Sequence, residues 1–292
     1  MKFRSLILLA SSAFALCGCQ GLKDALSSAI EAQGFDPKNF VLGLGGENVP
    51  VGDYSKKILQ YYEIDQTALE QKGAISYGAD VKAVTTAVKQ GTVTAGIIYK
   101  TDAFSAELTN VDAATAAMCG QVIYPAASIK NTNGHTFLAK HFTEYLTTAA
   151  AMEEFEKVGF VSACETREVE ALGSGPYTLK VFAAASLTES LNAVKAKYEA
   201  AYPQMTLDIN YGSSGALQTQ IETDSRVCDL FISAGAKQMN ALENHEGGSL
   251  LVEDTRFNFL ENQVVLAVPD NNPADLHSFD DLAVMLRKVL AA

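Results

Sequence analysis

Between residues 179 and 221 the hydrophobic period of the sequence switches back and forth, and this limits the fold more than any other stretch. A short apolar run (Leu179, Val181, Phe182) ends in the small residues Ala183, Ala184 and Ala185. Ser186 and Thr188 then stand where a helix should begin, with Leu187, Leu191, Val194 and Tyr198 at helical spacing. Met205, Leu207, Ile209 and Tyr211 alternate as a half-buried strand does, the run breaks at Gly212, and Ser213 and Ser214 precede a second helix carrying Leu217 and Ile221. Two strand-to-helix turns in succession each place a serine at a helix start. The first backbone N–H groups there lack intrahelical partners, and the helix dipole favours an anion. Ordinary N-caps, worth about 1 kcal/mol each, are one reading. The other is that consecutive strand–helix units line their C-terminal strand ends along one crevice, so that the two serines face a shared ligand.

The rest of the chain repeats the alternation. A buried strand is expected over 40–44, opening through Gly45, Gly46 and Pro50 into a helix over 53–62. The glycines could cradle phosphate, but neither G-x-G-x-x-G nor a Walker lysine motif is present. A strand over 74–77 leads to Asp80, a candidate cap for a helix with Val81, Val84 and Val88 on one face. Strands are expected over 94–99, 122–127, 228–234 and 263–268, and helices over 135–160, 238–243 and 279–290. His135 and His141 have no Cys, Asp or Glu at ligand spacing and read as surface residues. Residues 164–177 break the pattern as a linker, and 269–273, bounded by Pro269 and Pro273, reads as a crossing point between lobes. The pattern predicts an α/β protein of two lobes, each with a mainly parallel sheet flanked by helices.

A chain of 292 residues with 48% hydrophobic content can bury one large or two medium cores. Its start, with Lys2 and Arg4 before an apolar run over 6–16, is too short to span a bilayer and reads as a signal peptide over 1–18. The sequence Leu16-Cys17-Gly18-Cys19 resembles a bacterial lipobox, which implies cleavage before Cys19 and a lipid on its thiol. Export leaves 20 basic against 34 acidic residues, a net charge of −14. That surface argues against nucleic acid or anionic lipid as partners, and any bound anion must be held by local dipoles. Cys119, Cys164 and Cys228 remain, an odd number without zinc or iron–sulfur spacing.

Six segments together resemble one family. Phe182-Ala-Ala-Ala-Ser186-Leu-Thr, Tyr211-Gly-Ser-Ser214-Gly-Ala-Leu and Asp229-Leu-Phe-Ile-Ser-Ala234 resemble the first half of periplasmic molybdate-binding proteins, the substrate-binding subunits of ABC importers for molybdate and tungstate. Val49-Pro-Val51-Gly, Gly78-Ala-Asp80-Val81 and Gly96-Ile-Ile-Tyr99-Lys-Thr-Asp-Ala103 resemble the second half, and Phe155-Glu-Lys-Val-Gly159-Phe resembles its C-terminal end. The family's second half comes first here, which looks like a circular permutation of a type II-like periplasmic-binding-protein fold, with 164–177 joining the ancestral termini. Such a linker reaches up to roughly 46–50 Å. Alternatively, the chain rebuilds a whole protein only by pairing with another copy.

The resemblance implies a tether over 19–39, one lobe from 40–126 plus 270–292, and the other from 127–163 plus 178–269. It places the oxyanion contacts on Ser186 and Ser214 (hydroxyl and backbone N–H), on the backbone N–H groups of Val51 and Val81, and on the Tyr99 hydroxyl. Val51 stands where the family more often has alanine, a change that a backbone donor survives. The implied function is capture of molybdate or tungstate by a monomeric, lipid-anchored protein that delivers it to an ABC permease in the membrane. No cofactor and no protein–metal ligand are expected, because the metal arrives as an oxyanion. Two alternatives stand beside this reading. One is a lipoprotein of the same fold that has lost its ligand. The other is a serine hydrolase using Ser214, whose surroundings Gly212-Ser-Ser214-Gly-Ala216 nearly match a nucleophile elbow but lack the final glycine and a convincing histidine base.

Overall fold

The computed structural model describes residues 35–292. The expected signal peptide, Cys19 and the tether as far as residue 34 lie outside the described residues. Within them the strands run β1 (Leu42–Gly45), β2 (Ile75–Gly78), β3 (Ala95–Tyr99), β4 (Thr109–Ala113), β5 (Val122–Ser128), β6 (Val161–Ser162), β7 (Tyr177–Ala184), β8 (Met205–Gly212), β9 (Leu230–Ile232), β10 (Phe257–Asn262) and β11 (Val264–Val268). The helices are α1 (Pro50–Tyr61), α2 (Gln66–Gln71), α3 (Val81–Lys89), α4 (Lys100–Ser105), α5 (Ala116–Cys119), α6 (Thr136–Leu146), α7 (Ala149–Glu156), α8 (Thr188–Ala201), α9 (Ser214–Thr223), α10 (Ala236–Glu243) and α11 (Phe279–Ala291).

Two sheets divide the chain into two lobes. The first has the order β2-β1-β3-β11-β4 and the second β6-β10-β5-β9-β7-β8. In each, a central strand pairs in parallel with its two neighbours: β1 with β2 and β3, and β7 with β8 and β9. In each, the next place is taken by a strand running the other way, β11 against β3 and β5 against β9. Those two antiparallel strands are where the chain changes lobe. β5 follows the first lobe's β4, and β11 follows the second lobe's β10 across the single residue Gln263.

The crossings therefore fall at 114–121 and at Gln263, not at 269–273. Residues 122–126 belong to the second sheet and 264–268 to the first, each opposite to the side expected from sequence. The reason is that a strand entering a new lobe is as apolar as the strands it joins, so hydropathy cannot say which sheet accepts it.

Local signals set most boundaries. Asp80 caps α3 by accepting from Ala83 N at 2.9 Å, and Ser278 caps α11 by accepting from Asp281 N. The helical stretch expected over 135–160 is two helices, because Thr148 caps a new one by accepting from Ala151 N. His141 is a correction to the sequence reading: it is buried, with Nδ1 2.7 Å from the Tyr198 hydroxyl and its ring against Tyr202. It shares the inner stripe of α6 with Leu138, Phe142 and Tyr145, and burial lowers its pKa.

The linker over 164–176 lies on the second lobe, where Arg167 N donates to Thr147 Oγ1 and the Arg167 guanidinium covers the Phe257 ring. One apolar core runs through both lobes, from Leu42, Ile97 and Val265 to Leu179, Leu191 and Phe259. A smaller cluster of Phe182, Leu217, Phe231 and Met239 seats α9 and α10.

Candidate functional site

The C-terminal ends of β1, β3, β7 and β8 point at one small interlobe hollow. Val51, Val81, Tyr99, Ser186 and Ser214 all line it, together with Asp80, Ala184 and Ala234. The five residues singled out by sequence are thus brought to one place from two lobes.

Each arrives there for a local reason. Pro50 sets the first turn of α1 and has no N–H, which leaves the Val51 N–H as an unpaired donor of that turn. A Cβ at Gly52 would sit 2.4 Å from Gly45 O, so only glycine lets this turn close down on the end of β1. Val81 opens α3 directly after the Asp80 cap. Tyr99 ends β3, fully buried, with its hydroxyl donating to Ala234 O of the opposite lobe at 3.3 Å.

Neither site serine is an N-cap. Ser213 is the residue that caps α9, accepting from Ala216 N, while Ser214 occupies the first helical position and its Oγ accepts from Ala234 N at 3.0 Å. Ser186 sits in the 3₁₀ turn Ala185–Leu187 ahead of α8, with Oγ 2.9 Å from the Tyr124 hydroxyl. Both hydroxyls are buried and spared from capping, so the capping explanation of these serines does not hold.

The lobes meet across this hollow. Gly215 N and Ser213 Oγ both donate to Asn48 O, at 3.1 and 3.2 Å. Lys82 of α3 pairs with Glu189 of α8, and Lys237 pairs with Asp53 at 2.9 Å. One chain therefore closes its own cleft. Among the described residues, Asp80 is the only carboxylate or cation along the lining. The phenols of Tyr99 and Tyr124 keep their protons, because burial raises both far above the ordinary tyrosine range.

Behind the hollow lies a group that sequence reasoning missed. Asp102, in the first turn of α4, is buried and titrates at about 7, chiefly because of desolvation. Beyond a weak contact with its own backbone N–H, neither carboxylate oxygen has a hydrogen-bond partner. The Lys82 ammonium lies 3.9 Å away, which partly lowers the pKa without forming a hydrogen bond. Tyr124, Asn262 and Asn48 were also missed. Their partners lie 62 to 165 positions away along the chain, and nothing near them in sequence announces the contacts.

The sequence matches the family of bacterial extracellular solute-binding proteins over residues 21–161 and 179–291. The chain belongs to that family. Among the relatives of this solute-binding protein, an ABC transporter substrate-binding lipoprotein of Bacillus subtilis is 40% identical over 117 residues, covering 40% of this chain and 44% of the relative. A molybdate-binding protein of Mycobacterium tuberculosis is 32% identical over 108 residues, covering 37% and 40%. The chain spans less than half the length of the curated relatives it matches. A phosphate-binding protein of a Streptococcus pneumoniae ABC transporter shares the fold, with 16% identity, a TM-score of 0.52 and coverage of 85% of this chain and 96% of that one.

These relatives are binding proteins and not enzymes. The hydrolase alternative also fails on geometry, since the partner of the Ser214 hydroxyl is the Ala234 N–H and not an imidazole. No described helix is long and apolar enough to cross a membrane. Cys119, Cys164 and Cys228 are free thiols, and no cluster of His, Cys, Asp or Glu suited to a metal occurs among the described residues.

Proposed function

We propose that this solute-binding protein captures a tetrahedral dianion, molybdate or tungstate, between its lobes and delivers it to an ABC permease. The carrying observation is the convergence of Val51, Val81, Tyr99, Ser186 and Ser214, from both lobes, on one small hollow whose lining, among the described residues, has no lysine or arginine. A dianion there would be held by neutral donors. Hydrogen bonds to a charged group contribute about 1.5–3 kcal/mol each, so several together offset desolvation. The first-turn N–H groups of α1, α3 and α9 add positive partial charge without mobile counter-ions. Contacts across the cleft supply a closed form for a permease to recognise. Lipidation at Cys19 would keep the protein at the membrane surface, as the name of the Bacillus subtilis relative suggests for that protein.

The order of the two halves is part of the proposal: we read the chain as a circular permutation joined through 164–177. Three observations support this. The family match breaks at residues 162–178, the alignments to relatives stop short of half their length, and a single chain nevertheless supplies both lobes. Thermal melting tests the ligand reading. Molybdate at 100 times its dissociation constant should stabilise by about 2.7 kcal/mol, a rise of several degrees. Unchanged melting with both molybdate and tungstate would instead indicate a protein of this fold that has lost its ligand.

A further inference from the structure

A chain of side-chain hydrogen bonds runs from the hollow to the Gln263 crossing. Ser186 Oγ lies 2.9 Å from the Tyr124 hydroxyl, Asn262 Nδ2 donates to that hydroxyl at 3.2 Å, and the same Nδ2 donates to Thr101 Oγ1 of the first lobe at 3.0 Å. The Asn262 amide sets the direction of each bond. Asn262 Oδ1 accepts from Gln263 N at 2.8 Å, which fixes the amide with its Nδ2 hydrogens facing Tyr124 and Thr101. The Tyr124 oxygen is thereby an acceptor from Asn262. Tyr124 is wholly buried, and Ser186 Oγ is its remaining hydrogen-bond partner, so the phenolic proton goes to Ser186. A buried hydroxyl proton without an acceptor would be costly. Ser186 Oγ then accepts, and its own proton is left to point into the hollow.

We infer that Tyr124, oriented by Asn262, is a positioning residue that commits the Ser186 hydroxyl to donate to the bound anion. The inference rests on the oxyanion reading above. It assigns a role to a residue that does not line the hollow. The arrangement at Ser214 is parallel, since the Ala234 N–H fills the acceptor side of that hydroxyl and frees its proton as well. At both serines the protein already donates one proton to the oxygen, so a ligand bearing its own proton must compete for the single lone pair that is left. A fully ionised oxyanion is favoured over hydrogen phosphate at these two points. Because Asn262 ends β10 and bonds to Thr101 across the lobes, the donor geometry at Ser186 is also tied to the position of the crossing.

The test is a double-mutant cycle read by calorimetric titration with molybdate and with phosphate at neutral pH, using wild type, Tyr124→Phe, Ser186→Ala and the double variant. Phenylalanine keeps the edge-on ring contacts to Tyr99 and Phe160, and melting without ligand checks the fold. Tyr124→Phe should weaken molybdate about tenfold, the size of one directed hydrogen bond, and narrow the gap between molybdate and phosphate. In the Ser186→Ala background the same substitution should have no further effect. Asn262→Ala should shift affinity in the same direction by less, and also lose its effect without Ser186. Equal losses from Tyr124→Phe with and without Ser186, or wild-type affinity in Tyr124→Phe, would overturn the inference while leaving the oxyanion reading standing. Failure of the wild type to bind molybdate or tungstate would overturn both.

Discussion

Gly215 makes a close backbone contact between the two lobes. Its N–H donates to Asn48 O, and a Cβ there would sit 2.2 Å from that same oxygen. Gly215→Ala should therefore leave each lobe folded but hold the cleft ajar. Affinity for the oxyanion should fall by roughly five- to a hundredfold, as expected from a strain of about 1–3 kcal/mol, with little change in melting without ligand. Titration and melting on the same sample separate the two effects. Asp102 makes a second prediction at this scale. Its carboxyl titrates near 7 when folded and would do so near 4 when unfolded. The folded protein then binds the extra proton between those values, so this group's contribution is complete below about pH 4 and lost as pH rises through about 7. Asp102→Asn should melt higher than wild type at pH 8, by up to about 4 kcal/mol, and the advantage should fade toward pH 4. A melting series across that range checks both the sign and the window.

At the scale of elements, α3 carries a conflict between stability and binding. Asp80 caps the helix, yet its carboxylate lies along the lining of a hollow proposed for a dianion. Asparagine caps as well as aspartate does. Asp80→Asn should keep melting within a few tenths of a kcal/mol of wild type and tighten molybdate binding severalfold; weaker binding would show that the charge is screened or turned away.

The longer helices and the central strands were legible in the sequence because their apolar residues recur at clean periods, as along α3 and β7, whereas the short helices α2, α4 and α5 carry too few residues to show one. β4 and β10 were not, since both are short, only partly buried and rich in polar residues such as Asn110, Asp112, Asn258 and Glu261. Of the proposed site, the two serine turns could be read from small residues followed by serine at a helix start, whereas Val51, Val81 and Tyr99 were singled out only by the family resemblance. The roles of Tyr124 and Asn262 could not, because they arise from contacts between strands distant in sequence.

The whole molecule is two similar sheets that exchange one strand each, β5 for β11. Residues 35–41 and the end of α11 both belong to the first lobe, where α11 packs against the turn Pro37–Asn39. A rearranged chain that begins at 178, runs to 292, continues through a short linker into 40 and ends at 163 should fold and bind with unchanged affinity. Failure of that chain to fold would count against the permutation.

The central claim is that neutral donors from both lobes hold a fully ionised tetrahedral oxyanion of the molybdate kind. Calorimetric titration of the purified protein with molybdate, tungstate and sulfate tests it most directly. The account predicts one site per chain, heat with molybdate and tungstate, and loss of that heat in Ser186→Ala/Ser214→Ala. Silence from both metal oxyanions, or binding that survives removal of both serine hydroxyls undiminished, would contradict it.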